Sequence, residues 1–166
     1  MSEGLSIGFR IALIGIGATL ALDLWSLLLR AAFRAPFPNY TMVGRWIGGF
    51  PRGCFVHEDM ARAPAVAGER VIGWTAHYAI GFLYALALIA IAGLNWLSAP
   101  TLWPAVVVGL ATVAAPLFIM QPAMGLGVAG SKTTNPNAAR LRSLLDHAVF
   151  GIGLYLSAAV TASCLP

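Results

Sequence analysis

Residues 71–131 read VIGWTAHYAI GFLYALALIA IAGLNWLSAP TLWPAVVVGL ATVAAPLFIM QPAMGLGVAG S, without a single Lys, Arg, Asp or Glu. A helix that crosses the ~30 Å hydrocarbon core of a bilayer needs ~20 apolar residues. This block therefore holds two such helices, expected at about 71–94 and 101–124 and joined by Asn95–Pro100. Working outward, only Asp23 interrupts the stretch between Arg10 and Arg30, and no charge follows Asp146. Those gaps place two more helices at about 8–30 and 138–162, with a long loop over 31–70. Closed β-barrels are the other spanning solution, but these runs are too long for barrel strands and do not alternate. The expectation is an all-α polytopic membrane protein: one domain over 1–166, four transmembrane helices in an up-down bundle.

Composition agrees. The 166 residues are 59% hydrophobic and only 10% charged, where a soluble domain carries roughly 25% charged residues. So few charges cannot dress a soluble fold this apolar, and a chain this apolar does not remain disordered. Two cysteines, Cys54 and Cys164, cannot make a disulfide scaffold.

Basic residues set the orientation, because Lys and Arg are retained on the cytoplasmic side. The 31–70 loop and its edges hold Arg30, Arg34, Arg45, Arg52, Arg62 and Arg70; the loop between helices three and four and the start of helix four hold Lys132, Arg140 and Arg142. The loop between helices two and three has none. Both basic loops lie on one side of a four-span protein, so that side is expected to be cytoplasmic and both termini periplasmic, with Arg10 the exception. Helix one has no small-residue cleavage site after its apolar run and is expected to be a retained anchor. The net charge of +4 is then a topology signal, and no basic stripe for nucleic acid accompanies it. Cys54 and Cys164 fall on opposite sides. Trp25, Trp74, Trp96 and Trp103 sit near predicted helix ends, where an aromatic belt is expected.

The loop carries turn punctuation in Ala35-Pro36-Phe37-Pro38 and Gly48-Gly49-Phe50-Pro51-Arg52-Gly53. Between these, Asn39 is positioned to cap a short amphipathic helix over Tyr40–Ile47, with Arg45 and Trp46 at the inner membrane surface. The segment either closes the bundle as a surface or re-entrant loop or forms a lid over an inner opening. In the third loop, Asn135 or Asn137 is an N-cap candidate, with Pro136 in the first turn if Asn135 caps. Helix N-terminus and basic side chains together suit an anion. Arg45, Lys132, Arg140 and Arg142 are the expected contacts to a lipid headgroup or soluble anion.

Ionisable residues inside a membrane face the bundle interior and are functional hypotheses by default. Here they are Asp23, His77, Asp146 and His147, with Gln121 as an uncharged companion. Counted from the nearest basic residue at 1.5 Å per residue, Asp23, His77, Gln121 and His147 fall at a similar depth in the inner half of the bilayer. Helical spacing puts Thr19, Asp23 and Ser26 on one face, Gly73, His77, Gly81 and Tyr84 on another, and Ser143, His147, Phe150 and Gly151 on a third. Asp146 lies four residues after Arg142, where the two can pair. Helix three carries Pro116 and Pro122, which free backbone carbonyls; a broken helix at Met120-Gln121-Pro122 either is a structural kink or lines a site. Ala18-Thr19 in helix one aligns with Ala111-Thr112 in helix three, and His77…Gly81 in helix two with His147…Gly151 in helix four. Two parallel helical-hairpin repeats would follow, making the two histidines pseudo-equivalent.

The polar layer fits a ligand or proton site built from Asp23, His77, Gln121 and His147. It also fits a metal or haem site using His77 and His147, with Asp23 as a further metal candidate. A third possibility is a hydrogen-bonded set that fixes helix register in an accessory or assembly subunit. No Cys-x-x-Cys-His, His-Glu-x-x-His, P-loop or Gly-rich nucleotide motif is present, and no catalytic residue is assigned.

The segments Gly17-Ala18-Thr19 with Asp23-Leu24-Trp25, Val43-Gly44-Arg45-Trp46, Gly73-Trp74 with His77-Tyr78, Met120-Gln121-Pro122, Ala139-Arg140-Leu141-Arg142-Ser143-Leu144 and Phe150-Gly151-Ile152-Gly153-Leu154-Tyr155 resemble the bacterial family "domain of unknown function 2938". The resemblance covers nearly the whole chain. It implies a small integral membrane protein of bacteria and brings no activity. The expected protein is thus a multi-pass inner-membrane protein whose partners are the bilayer, a second copy of itself and a small ion or molecule. Transport- or channel-like activity leads, with redox or metal binding and an accessory role as the alternatives.

Overall fold

A computed structural model of the chain describes residues 3–165; Met1, Ser2 and Pro166, the ends of the expected 1–166 domain, lie outside the described residues. The elements are α1 (Glu3–Phe33), α2 (Tyr40–Gly48), α3 (Glu69–Ala92), α4 (Leu102–Ala111), a π-turn over Pro116–Met120, α5 (Gln121–Ala123) and α6 (Pro136–Cys164), with short 3₁₀ turns at Phe50–Arg52, Leu94–Leu97 and Val128–Gly130. No strand occurs among the described residues.

Four helical segments, Gly4–Phe33, Glu69–Ala92, Leu102–Ala123 and Pro136–Cys164, are long and apolar enough to cross a membrane. The shortest, at 22 residues, rises about 33 Å at 1.5 Å per residue, enough for a ~30 Å core. Among the described residues the fold is therefore all-helical, with four helices able to span a membrane. The distribution of side chains fits a bilayer. Leu24, Leu28, Ile91, Trp103 and Val160 are exposed, whereas Thr19, Asp23 and Ser26 are buried. In water the reverse partition would hold.

The chain forms two compact units. The first comprises the chain up to Pro36, Tyr78–Thr112 and the chain from Asp146 onward. Its core includes Ile14, Ala18, Leu88, Ala105, Leu154 and Ala158. Where helices meet, a side chain has been omitted. A Cβ on Gly15 would lie 2.7 Å from the Phe82 Cα, one on Gly109 2.5 Å from the Gly151 Cα, and one on Gly153 3.0 Å from the Ala18 Cα. Small residues at crossings let membrane helices approach closely and gain van der Waals contact, the main attraction left once lipid is as apolar as the side chains. Arg10, the exception to the charge rule, donates from Nη2 to the Leu97 carbonyl at 2.6 Å, so a turn carbonyl holds its charge. Trp96 corrects the aromatic-belt reading: it is buried in the core and donates from Nε1 to the Thr101 carbonyl. Its donor is satisfied inside the turn and does not need the headgroup layer. Trp103 is exposed, as a belt residue should be.

The second unit comprises Phe37–His77 and Val113–Leu145. Asn39 caps α2, its side chain accepting from the Met42 amide. Gly44 of α2 meets the first turns of α3 at Glu69 and Gly73. The long loop is tied down further on, where the His57 amide donates to the Ala123 carbonyl (2.8 Å) and the Met60 amide to the Met124 carbonyl (3.2 Å). Gly125, at φ +85°, stands against the Glu58 carbonyl where no Cβ would fit. The third loop ends with Asn135 accepting from the Ala138 amide and Pro136 opening α6, the arrangement expected if Asn135 caps.

Candidate functional site

In the first unit, the polar face of α1 is buried as its spacing implies. Thr19 and Ser26 are 1% exposed and Asp23 is 8% exposed. Thr19 turns its hydroxyl back to the Gly15 carbonyl (2.8 Å), which satisfies it within its own helix. Asp23 Oδ2 accepts from the Tyr78 hydroxyl at 2.9 Å, and Asp146 Oδ1 accepts from Trp25 Nε1 at 3.0 Å. Each carboxylate, Asp23 buried and Asp146 half-buried, thus takes a hydrogen bond from an aromatic donor, where a bare charge would be costly in an apolar medium.

His147 lies at the break of the third span. α4 stops at Ala111, and Pro116, which has no amide proton, cannot donate back to the carbonyl one turn earlier. The hydroxyl of Thr112, the residue after α4, donates to the Gly109 carbonyl at 2.6 Å. His147 Nδ1 lies 2.8 Å from Thr112 Oγ1 and 3.3 Å from that same carbonyl. Of the site candidates in this unit, Asp23 accepts from Tyr78, and His147 meets Thr112 and the Gly109 carbonyl.

In the second unit, His77 belongs to an aromatic stack. Its ring lies 4.0 Å from that of Tyr40 at an interplanar angle of 25°, with Trp74 4.8 Å from Tyr40 and Phe37 6.1 Å from Tyr40. Gln121 opens α5 immediately after the π-turn. Its Oε1 is buried without a hydrogen-bond partner among the described residues, as is His57 Nε2. Buried polar atoms of this kind ordinarily engage water or a ligand.

The basic residues expected to hold an anion are engaged to different degrees. Arg45 grips Glu69 with a two-point fork, Nε to Oε2 at 2.8 Å and Nη2 to Oε1 at 2.9 Å, and Nη1 donates to the Ala63 carbonyl at 3.0 Å. The hydrogen bond from Glu69 raises the Arg45 pKa above its ordinary value against the opposing effect of burial. Glu69 also accepts from the Val66 amide, so this ion pair ties the end of the loop to the start of α3. Arg140 donates to the Ala129 carbonyl (3.0 Å) and to Asn137 (3.2 Å). Lys132 is exposed. No group of three or more His, Cys, Asp or Glu side chains able to hold a metal ion occurs among the described residues.

The aromatic and hydroxyl partners Tyr78, Trp25 and Thr112 were not legible as site residues. Tyr78 and Thr112 stand next to residues already singled out, but spacing alone does not say which carboxylate or ring nitrogen they meet. A family model described as "Protein of unknown function (DUF2938)" matches residues 12–161. The chain belongs to this family. No curated protein and no solved structure matches it.

Proposed function

We propose that this DUF2938 protein provides a polar pathway for a small ion or molecule across a bacterial inner membrane. Its candidate ligand or proton residues on the cytoplasmic side are Asp23 and His147 in the first unit and His77 and Gln121 in the second. The observation that carries this reading is Asp23: an ionisable group buried in the middle of an apolar helix and oriented by a phenol, in a segment where charge is costly and functional by default. The break in the third span beside His147 adds to it, since transporter sites are commonly lined by discontinuous helices. Arg45, Lys132, Arg140 and Arg142 would face lipid phosphate or a soluble anion on the cytoplasmic side, Arg45 while also holding Glu69 and Arg140 while also holding Asn137. The positive-inside rule puts both termini outside. The two hairpins would be parallel repeats: in each, the glycine four residues after the histidine sits at a helix crossing, Gly81 against Gly15 and Thr19, Gly151 against Ala105 and Val106. With four candidate spans among the described residues to line a pathway, a homodimer is the expected assembly.

The test is proton flux into proteoliposomes under an imposed gradient, comparing the native protein with Asp23→Asn and His147→Gln. Both substitutions should reduce flux to the level of empty vesicles while the proteins remain folded. Native protein no more active than empty vesicles, or folded variants that conduct as well as native, would sink proton conduction through this site.

A further inference from the structure

The hydrogen-bond geometry around His147 bears on which ring nitrogen carries the proton. Which nitrogen of a neutral imidazole carries the proton is set by the partners of the other. The Thr112 hydroxyl has one hydrogen. Its oxygen is 2.6 Å from the Gly109 carbonyl oxygen, a separation two oxygens hold only with a proton between them. The carbonyl has none, so that proton is the hydroxyl's. The Thr112 oxygen, having given its hydrogen away, faces Nδ1 at 2.8 Å as an acceptor, and the Gly109 carbonyl, at 3.3 Å, can only accept. Nδ1 therefore meets two acceptors and must itself carry a proton. Among the described residues, the hydrogen-bond contacts of the ring are those of Nδ1, and none is made by Nε2.

We propose that His147 is locked as its Nδ1–H tautomer by Thr112 and the Gly109 carbonyl, and that Nε2 is the lone-pair atom that accepts a proton or hydrogen bond from the permeating species. Thr112 is then a positioning residue that acts through His147. The favoured ligand is a hydrogen-bond donor, such as a water of a proton wire or a protonated amine. Proton uptake at Nε2 turns that atom from acceptor to donor while Nδ1 keeps its partners, so the site switches polarity without turning the ring. The role of Nε2 in permeation rests on the proposed pathway; the tautomer and its lock do not.

The experiment is ¹⁵N correlation NMR of the full-length, ¹⁵N-histidine-labelled protein in lipid nanodiscs, above the reference imidazole pKa of ~6.5. The His147 signal is assigned by its loss in His147→Gln or, should that variant not fold, by elimination with His57→Gln and His77→Gln. The native protein should show His147 as Nδ1–H; an Nε2–H tautomer would overturn the proposal. Thr112→Ser, which keeps the hydroxyl, should leave the tautomer unchanged. Thr112→Val leaves only the 3.3 Å carbonyl and should bring up a comparable Nε2–H population; an unchanged tautomer there would remove Thr112 from its assigned role. A locked tautomer in a protein that conducts nothing would refute the pathway and leave the lock standing.

Discussion

Replacing Gly73 with alanine tests the tightest crossing in the second unit. A Cβ there would run into the Tyr40 carbonyl oxygen, would stand 2.7 Å from the Tyr40 carbonyl carbon and would lie 3.1 Å from the Gly44 amide. From the other side, a Cβ on Gly44 would run into the Glu69 carbonyl oxygen and stand 2.6 Å from the Gly73 amide. Every one of these neighbours is backbone, so no side chain can swing away. Ordinary contact begins near 3.4 Å, so α2 would have to retreat from α3 by at least about 0.7 Å, a shift of the kind that costs ~1–3 kcal/mol when a packed core is overfilled. The upper end is expected, because the retreat also pulls Arg45 off Glu69, whose fork tolerates little displacement. Reversible unfolding in mixed micelles with increasing SDS reads the difference. The control is Gly8→Ala in α1, where a Cβ meets nothing within 4 Å and alanine favours the helix by ~0.8–1.0 kcal/mol. The double variant Gly44→Ala/Gly73→Ala should cost less than the sum of the single changes, since one separation of the helices relieves both clashes. A Gly73→Ala protein as stable as the Gly8→Ala control would refute the close crossing.

Arg45→Lys keeps the charge but loses the planar fork; faster amide exchange over residues 54–68 is expected, and exchange identical to native would show that the Arg45–Glu69 pair does not hold the loop. Tyr78→Phe leaves the buried Asp23 without its phenol and should destabilise by about 1–3 kcal/mol in the same SDS assay; a shift below the assay's error would show that the bond to Asp23 contributes nothing. Cys54 and Cys164 are both free and exposed, so a membrane-impermeant maleimide applied to intact spheroplasts should label Cys164→Ser poorly and Cys54→Ser well. The opposite pattern would reverse the orientation taken from the basic loops.

The span number was readable because lipid imposes one requirement, a long uncharged run for each crossing. Caps were readable because they are local: Asn39 and Asn135 need only an amide three residues on. The buried Thr19–Asp23–Ser26 face followed from helical period alone. Partner choice did not. Arg45 meets Glu69 across 24 residues, Tyr78 meets Asp23 across 55, and Trp25 meets Asp146 across 121. Nothing in a helical period ranks one donor over another at those separations. Trp96 shows the same limit: its position at a helix end suggested the interface, but the nearby Thr101 carbonyl draws the indole inward. Pro116 announced a break, but not that the broken segment would rewind as a π-turn before α5.

The break also bears on whether His147 is structural or functional. A helix that stops inside a bilayer leaves its last carbonyls without amide partners, and lipid offers none. At Gly109 the deficit is met by the Thr112 hydroxyl and by His147 Nδ1 reaching across from α6. Taken alone, that is a cap, and a cap would account for a histidine at this position without any ligand. A cap of this kind needs only one ring nitrogen, however, and an asparagine or a second threonine offers a donor of similar reach without the cost of burying a titratable ring. Imidazole differs from those in having a second nitrogen whose protonation changes near neutral pH. The structural and the working roles therefore use different atoms of one side chain and do not compete. Substituting Thr112 disturbs the first and substituting His147 removes both. If Thr112→Val and His147→Gln lowered stability equally and neither altered flux, the cap alone would explain the residue.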